Sequence, residues 1–317
     1  MIGVERAVAA AADWLIRQDE AEAAIASHEI GRAKSDEAAR RWVRRVLSAE
    51  RDGTWGDELP ATLRALLTIH ELRQAAGLRE QDPAIGRALA RVRRRTRVPG
   101  AWTGGCSPAR HRLSFCHHFA GGFFSPGPPD VELSDVTLPT GVRVDCDAEA
   151  RFALSCAALR SVLLWRGAGT DARLHLHVLG RLVDRWEALE PELDGLTTTA
   201  LLAGLHALIL SDRPADRDVA ARGLERAAGR QRGDGSWADA DPFHALAVYG
   251  DAADRGIGSA RVGATLEHGT RLLVATQRED GSWGTDNGAR RALIGLRALL
   301  RVTTTAPSDG PGGPGAG

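Results

Sequence analysis

Three carboxylates crowd the start of one short segment, VDCDAEARFALSCAAL (144–159): Asp145, Asp147 and Glu149, with Cys146 between the first two. Carboxyl groups this close together, if also shielded from water, share protons and drive one pKa upward, so that one of them stays an acid near neutral pH. Phe152, Leu154, Ala158 and Leu159 follow at helical spacing, so the acids open a helix. The same placement suits Asp147 as an ordinary N-cap and Glu149 as a first-turn acid. The residues alone leave both readings open.

A second chemistry would be metal binding. His244, in DPFHALAVYG (241–250), pairs with Cys146 as one candidate, and Cys106, Cys116, His117 and His118 form another. These spacings fit no common zinc module and give no complete set of three ligands, so no metal and no cofactor is expected. His206 and His244 are available to hold a proton beside Asp147. His175 and His177, two apart on an outer helix, are expected at the surface. The chain has no aspartate run for magnesium and diphosphate, no P-loop and no GxSxG elbow.

The elements that must position these groups announce themselves by repetition. QRGDGSW (231–237) and QREDGSW (277–283) are nearly identical, ERDGTWG (50–56) is a worn copy and GAWTGG (100–105) a looser one. Trp237 and Trp283 are 46 residues apart, and Trp55 and Trp102 are 47 apart. A fixed period of this size means stacked helical pairs. Each copy reads as a joint: Gln or Glu closes an outer helix, Asp-Gly makes a tight turn, and Trp drops into the seam. Inner helices are expected to begin near Asp57, Asp147, Leu196, Asp241 and Asn287, with outer helices over 218–230 and 259–276.

The joints resemble the QW motif of triterpene cyclases and, more broadly, the alpha-alpha toroid repeat shared by terpenoid cyclases and protein prenyltransferase beta subunits. The acidic segment resembles the DxDD motif of class II terpenoid cyclases. That resemblance implies an all-α single toroid in which Asp147 is the proton donor and Asp145 its partner. Ala148 stands where the family has its last Asp, and Glu149 offers a substitute carboxylate. It implies an isoprenoid substrate, a polyprenyl chain or small meroterpenoid, and allows peripheral membrane contact. An alkene is so weak a base that its donor must be a neutral, unhydrated carboxylic acid, and the cation formed needs a dry, aromatic cavity. The DPFHALAVYG segment resembles the helix carrying the zinc histidine of prenyltransferases, so a zinc-dependent enzyme using Cys146 and His244 is the alternative, and a non-catalytic toroid binding a lipid or protein partner is another. A peptide-modifying toroid lacks its expected Cys and His pattern.

The repeat breaks between Trp102 and Asp147. LSFCHHFAGGFF (113–124) holds Phe115, Phe119, Phe123 and Phe124, expected with Phe152 and Phe243 to wall a substrate cavity; the proline-rich stretch 125–141 cannot be regular helix. The toroid is assigned to 1–302, with an irregular insertion at about 100–146 and a disordered Gly/Pro tail at 303–317. Lys plus Arg equals Asp plus Glu at 41 each, so no net field draws nucleic acid. Four cysteines without a pairing pattern, and no secretory signal, point to a reduced, cytoplasmic protein.

Overall fold

The computed structural model describes residues 2–33, 35–56, 58–78, 82–94, 135–167, 169–189 and 197–305. The described helices alternate between an outer and an inner position. Outer helices are α1 (Ile2–Ile16), α3 (Ser35–Ser48), α5 (Pro83–Arg94), α7 (Thr170–Asp184) with the one-turn α8 (Trp186–Leu189), α10 (Pro214–Ala228) and α12 (Ala260–Thr276). Inner helices are α2 (Ala21–Glu29), α4 (Leu59–Ala76), α6 (Asp147–Arg166), α9 (Thr198–Leu208), α11 (Pro242–Asp254) and α13 (Gly288–Thr305). Each inner helix packs on the next, and α13 returns to α2 and α1, closing the ring. The protein is an all-α toroid. The last helix runs to Thr305, so the expected tail boundary at 303 falls inside it.

The joints work as their sequence suggests. Trp55, Trp237 and Trp283 are buried, and each indole Nε1–H donates to a carbonyl near the end of the preceding outer helix: Val46 (2.7 Å), Ala227 (3.1 Å) and Leu273 (2.8 Å). Burying one indole is worth on the order of 4 kcal/mol. The Gln side chains span the turn and reach the next outer helix. Gln231 donates to the carbonyls of Gly235 and Thr265, and Gln277 to those of Gly281 and Ala7. The last joint therefore docks on α1 and fastens the ring. At the worn copy Glu50 takes the place of Gln and instead binds Arg87 of α5.

A short antiparallel hairpin, β1 (Val136–Thr137) and β2 (Arg143–Val144), precedes α6. Its turn is closed by Leu138 N–H to the Val142 carbonyl (2.7 Å), with Gly141 at φ +86°. Leu138, Thr140, Val142 and Val144 are all buried, so the hairpin is tucked into the protein rather than lying on it. No described helix is long and apolar enough to cross a membrane.

Candidate active site

Four of the inner helices contribute to a common cavity. α6 contributes Ala153, Ala157 and Arg160, α9 contributes Ala203 and His206, α11 contributes His244 and α4 contributes Leu67. The hairpin turn, Leu138–Pro139–Thr140, closes it, and about 20 Å³ remains free. That is room for about one water molecule.

Polar contacts run along this cavity. Thr140 Oγ1 lies 2.9 Å from His244 Nδ1, and the His244 and His206 rings are 6.2 Å apart, edge to face. His206 Nε2 lies 2.9 Å from Asp251 Oδ2, to which Arg160 Nη2 also donates (2.8 Å). Burial, followed by the Arg160 charge, pushes His206 down to about 4 despite Asp251. Burial pushes His244 to about 3, with His206 the next contributor. Both rings are therefore neutral near pH 7. Burial alone would raise the Asp251 carboxyl, but the His206 hydrogen bond and the Arg160 charge outweigh it and hold it well below the usual carboxylate range.

The three acids at the head of α6 part company. Cys146 is the N-cap, with no side-chain cap bond, so Asp147 is the first helical residue rather than the cap. Both Asp147 oxygens accept from Arg151 Nε, at 2.9 and 3.0 Å. The Arg151 side chain is 1% exposed and that of Asp147 14%. Asp145 is exposed. Glu149 is buried and accepts from the Thr197 hydroxyl, the cap of α9. Burial raises its pKa, opposed by the Thr197 bond and reinforced by Asp145 and Asp239. Residues four apart share a helix face, so Glu149 stands one turn before Ala153 on the face whose Ala153, Ala157 and Arg160 line the cavity, and Asp147, two residues away, lies about 200° around the helix from it.

Of the expected cavity aromatics, Phe115, Phe119, Phe123 and Phe124 lie outside the described residues, as do Cys106, Cys116, His117 and His118. Phe152 packs on Trp186 (ring centroids 5.9 Å apart), and Phe243 stacks edgewise on the joint residue Trp283 (6.0 Å) with Arg291 over its ring. Neither lines this cavity. His175 corrects the expectation of a surface residue: it is fully buried, whereas His177 is exposed. Among the described residues no three His, Cys, Asp or Glu side chains gather as a metal site; Cys146 caps α6, and His244 is engaged by Thr140. Asp251 and Arg160 were not singled out from sequence, although Asp251 sits two turns from the flagged His244 on α11 and Arg160 lies on the helix that the acids open.

No protein-family model and no curated protein matches this chain. Solved structures do. Two structures of variants of the type II terpene cyclase MstE from Scytonema, one with merosterolic acid A as product and one with geranylgeranyl dihydroxybenzoate as substrate, match with a TM-score of 0.59 at 13% identity, over 95% of this chain and 97% of theirs. The chain has the fold of a type II terpene cyclase.

Proposed function

We propose that this protein is a class II terpenoid cyclase-like enzyme that cyclises a prenylated small molecule by protonating an alkene. The observation that carries the reading is Glu149, a buried carboxyl with a raised pKa at the head of the row that lines the lumen. The family resemblance assigns the donor to Asp147 with Asp145 as its partner. The geometry favours Glu149 within the same cluster, because Asp147 is committed to Arg151. In the reaction Glu149 gives its proton to the terminal alkene, the chain closes rings as the cation migrates, and loss of a proton ends it. A prenyl chain needs far more than the free volume present, so the hairpin tip Leu138–Thr140 moves aside on binding.

The test is incubation with geranylgeranyl dihydroxybenzoate and with free polyprenyl substrates. A product of unchanged mass with fewer alkenes supports the reading, and Glu149→Gln should lower its formation by several orders of magnitude. Uptake of the substrate without conversion would leave a lipid-binding toroid, the reading that Ala148 in place of an acid favours. One zinc per chain, lost on changing His244 or Cys146, would point to the prenyltransferase alternative.

A further inference from the structure

Two buried nitrogens on this cavity have no protein partner. His244 is 2% exposed, and its Nε2 makes no hydrogen bond, although the Thr199 backbone carbonyl favours the charged ring. Arg160 Nε is likewise buried and unbonded, although Nη2 of the same guanidinium binds Asp251. Leaving a buried donor unmade costs about 1–3 kcal/mol, more when it is charged. Both nitrogens belong to residues lining the same 20 Å³ space.

We infer that Arg160 and His244 form a binding site for the carboxylate head group of the ligand, resting on the proposal of a prenylated substrate in the same lumen. Arg160 Nε–H can only donate, so the missing partner is an acceptor. With Nδ1 accepting from the Thr140 hydroxyl, His244 Nε2–H donates as well, so its missing partner is also an acceptor. Asp251 is shared by Arg160 and the neutral His206, and Arg301, 3.9 Å away, is itself paired with Asp254, so the charges at this end of the lumen balance. The Arg160 Nε–H is a charged donor, and such a donor bonds an anionic acceptor more strongly than an alcohol or ether. Arg160 stands eleven residues below Glu149 on α6, roughly 16 Å at 1.5 Å per residue. A ligand anchored there by its head extends its hydrocarbon tail toward the acid, along Ala157 and Ala153.

The experiment is a binding titration, independent of turnover, comparing geranylgeranoic acid with geranylgeraniol by calorimetry. The acid should bind at least tenfold more tightly than the alcohol. Arg160→Lys keeps the charge beside Asp251 but removes the Nε donor, and His244→Phe keeps ring volume but removes the other; each should erase the preference while alcohol affinity stays within threefold. Equal binding of acid and alcohol by wild type, or of neither, overturns the inference, as does a preference that survives in both variants, which are checked for folding by circular dichroism. If the acid is preferred but no prenyl substrate is cyclised, the anchor stands and the cyclase reading falls.

Discussion

At the scale of single residues, the carboxylates of α6 are distinguished by what holds them. Asp147 neutralises Arg151, whose side chain is almost wholly buried. Asp147→Asn would leave that guanidinium without its countercharge, and we expect a loss of about 1–3 kcal/mol, less than for a fully buried pair because Asp147 is partly wet. Glu149→Gln keeps the side chain's size and an oxygen that can still accept from Thr197, so chemical denaturation should register less than about 1 kcal/mol while cyclisation collapses. If Asp147→Asn abolishes activity at unchanged stability and Glu149→Gln does not, the donor is Asp147. The histidines predict the pH response. His70 and His206 are pushed to about 4 and His244 to about 3, burial leading in each case, with Arg73, Arg160 and His206 respectively next. Their folded pKa values lie below the unfolded value near 6.5, so the unfolded chain binds more protons in between. The stability they provide is full above pH 6.5 and is lost as pH falls toward 4, on the order of several kcal/mol in all. Urea midpoints that stay flat from pH 7 to 4.5 would refute these neutral, buried rings.

At the scale of elements, the joints carry the fold, and their glycines show how. Gly281 has φ +93°, and a Cβ there would collide with the Ala10 carbonyl of α1. Gly77 ends α4 at φ +64° with nothing within 4 Å of a Cβ. Gly77→Ala should therefore cost only the backbone term, about 1–2 kcal/mol. Gly281→Ala must also push α1 away from the last joint, so we expect at least twice that in thermal or urea unfolding; equal costs would mean that the ring is not fastened there. These joints were legible in the sequence because turn chemistry is local: Asp280 Oδ1 accepts from the N–H and hydroxyl of Ser282 only two residues on. The inner helices following a joint were legible with them, starting within two residues of expectation at Leu59, Pro242 and Gly288, and so was the one at Thr198, which its apolar run marks without a joint. α2 was not, because it is short, Ala-rich and has neither a joint nor a strong apolar row to mark it; the chain turns from α1 to α2 through Arg17–Glu20. His206 and His244 were visible as residues, but their shared cavity, and the ion pair that separates Asp147 from Glu149, depend on which face of a helix meets a neighbour from far along the chain. Adjacent carboxylates in a sequence say nothing about the 200° that divides them on the helix.

At the scale of the whole molecule, the ring is held shut at one seam and stoppered at its centre. Glu71 of α4 accepts from Arg290 (2.7 and 3.0 Å) and Arg297 (2.7 Å) of α13, and Arg297 also binds Glu29 of α2. Burial alone would raise the Glu71 carboxyl, but the Arg290 and Arg297 charges hold it well below the usual range. Three inner helices are tied by charges that are costly to separate, so the scaffold is the rigid part. The hairpin is attached more lightly. Besides its apolar contacts, Thr140 meets His244, and Asn287 Nδ2 donates to the Gly141 carbonyl (3.1 Å). Neutral hydrogen bonds of this kind are worth about 1 kcal/mol each and the buried Leu138 side chain about 2 more, a cost that ligand binding has to meet for the tip to move. A Cβ on Gly141 would stand 3.1 Å from that of Asn287, slightly closer than a disulfide prefers, so Gly141→Cys with Asn287→Cys should oxidise after a small adjustment, at a backbone cost of about 1–2 kcal/mol. Locking the tip in this way leaves the lumen room for about one water molecule. Oxidised protein should then bind geranylgeranoic acid at least a hundredfold more weakly than the same protein reduced, with both single-cysteine variants insensitive to oxidation. Undiminished binding in the oxidised form would mean that ligands reach the protein elsewhere and that the hairpin is a fixed part of its core.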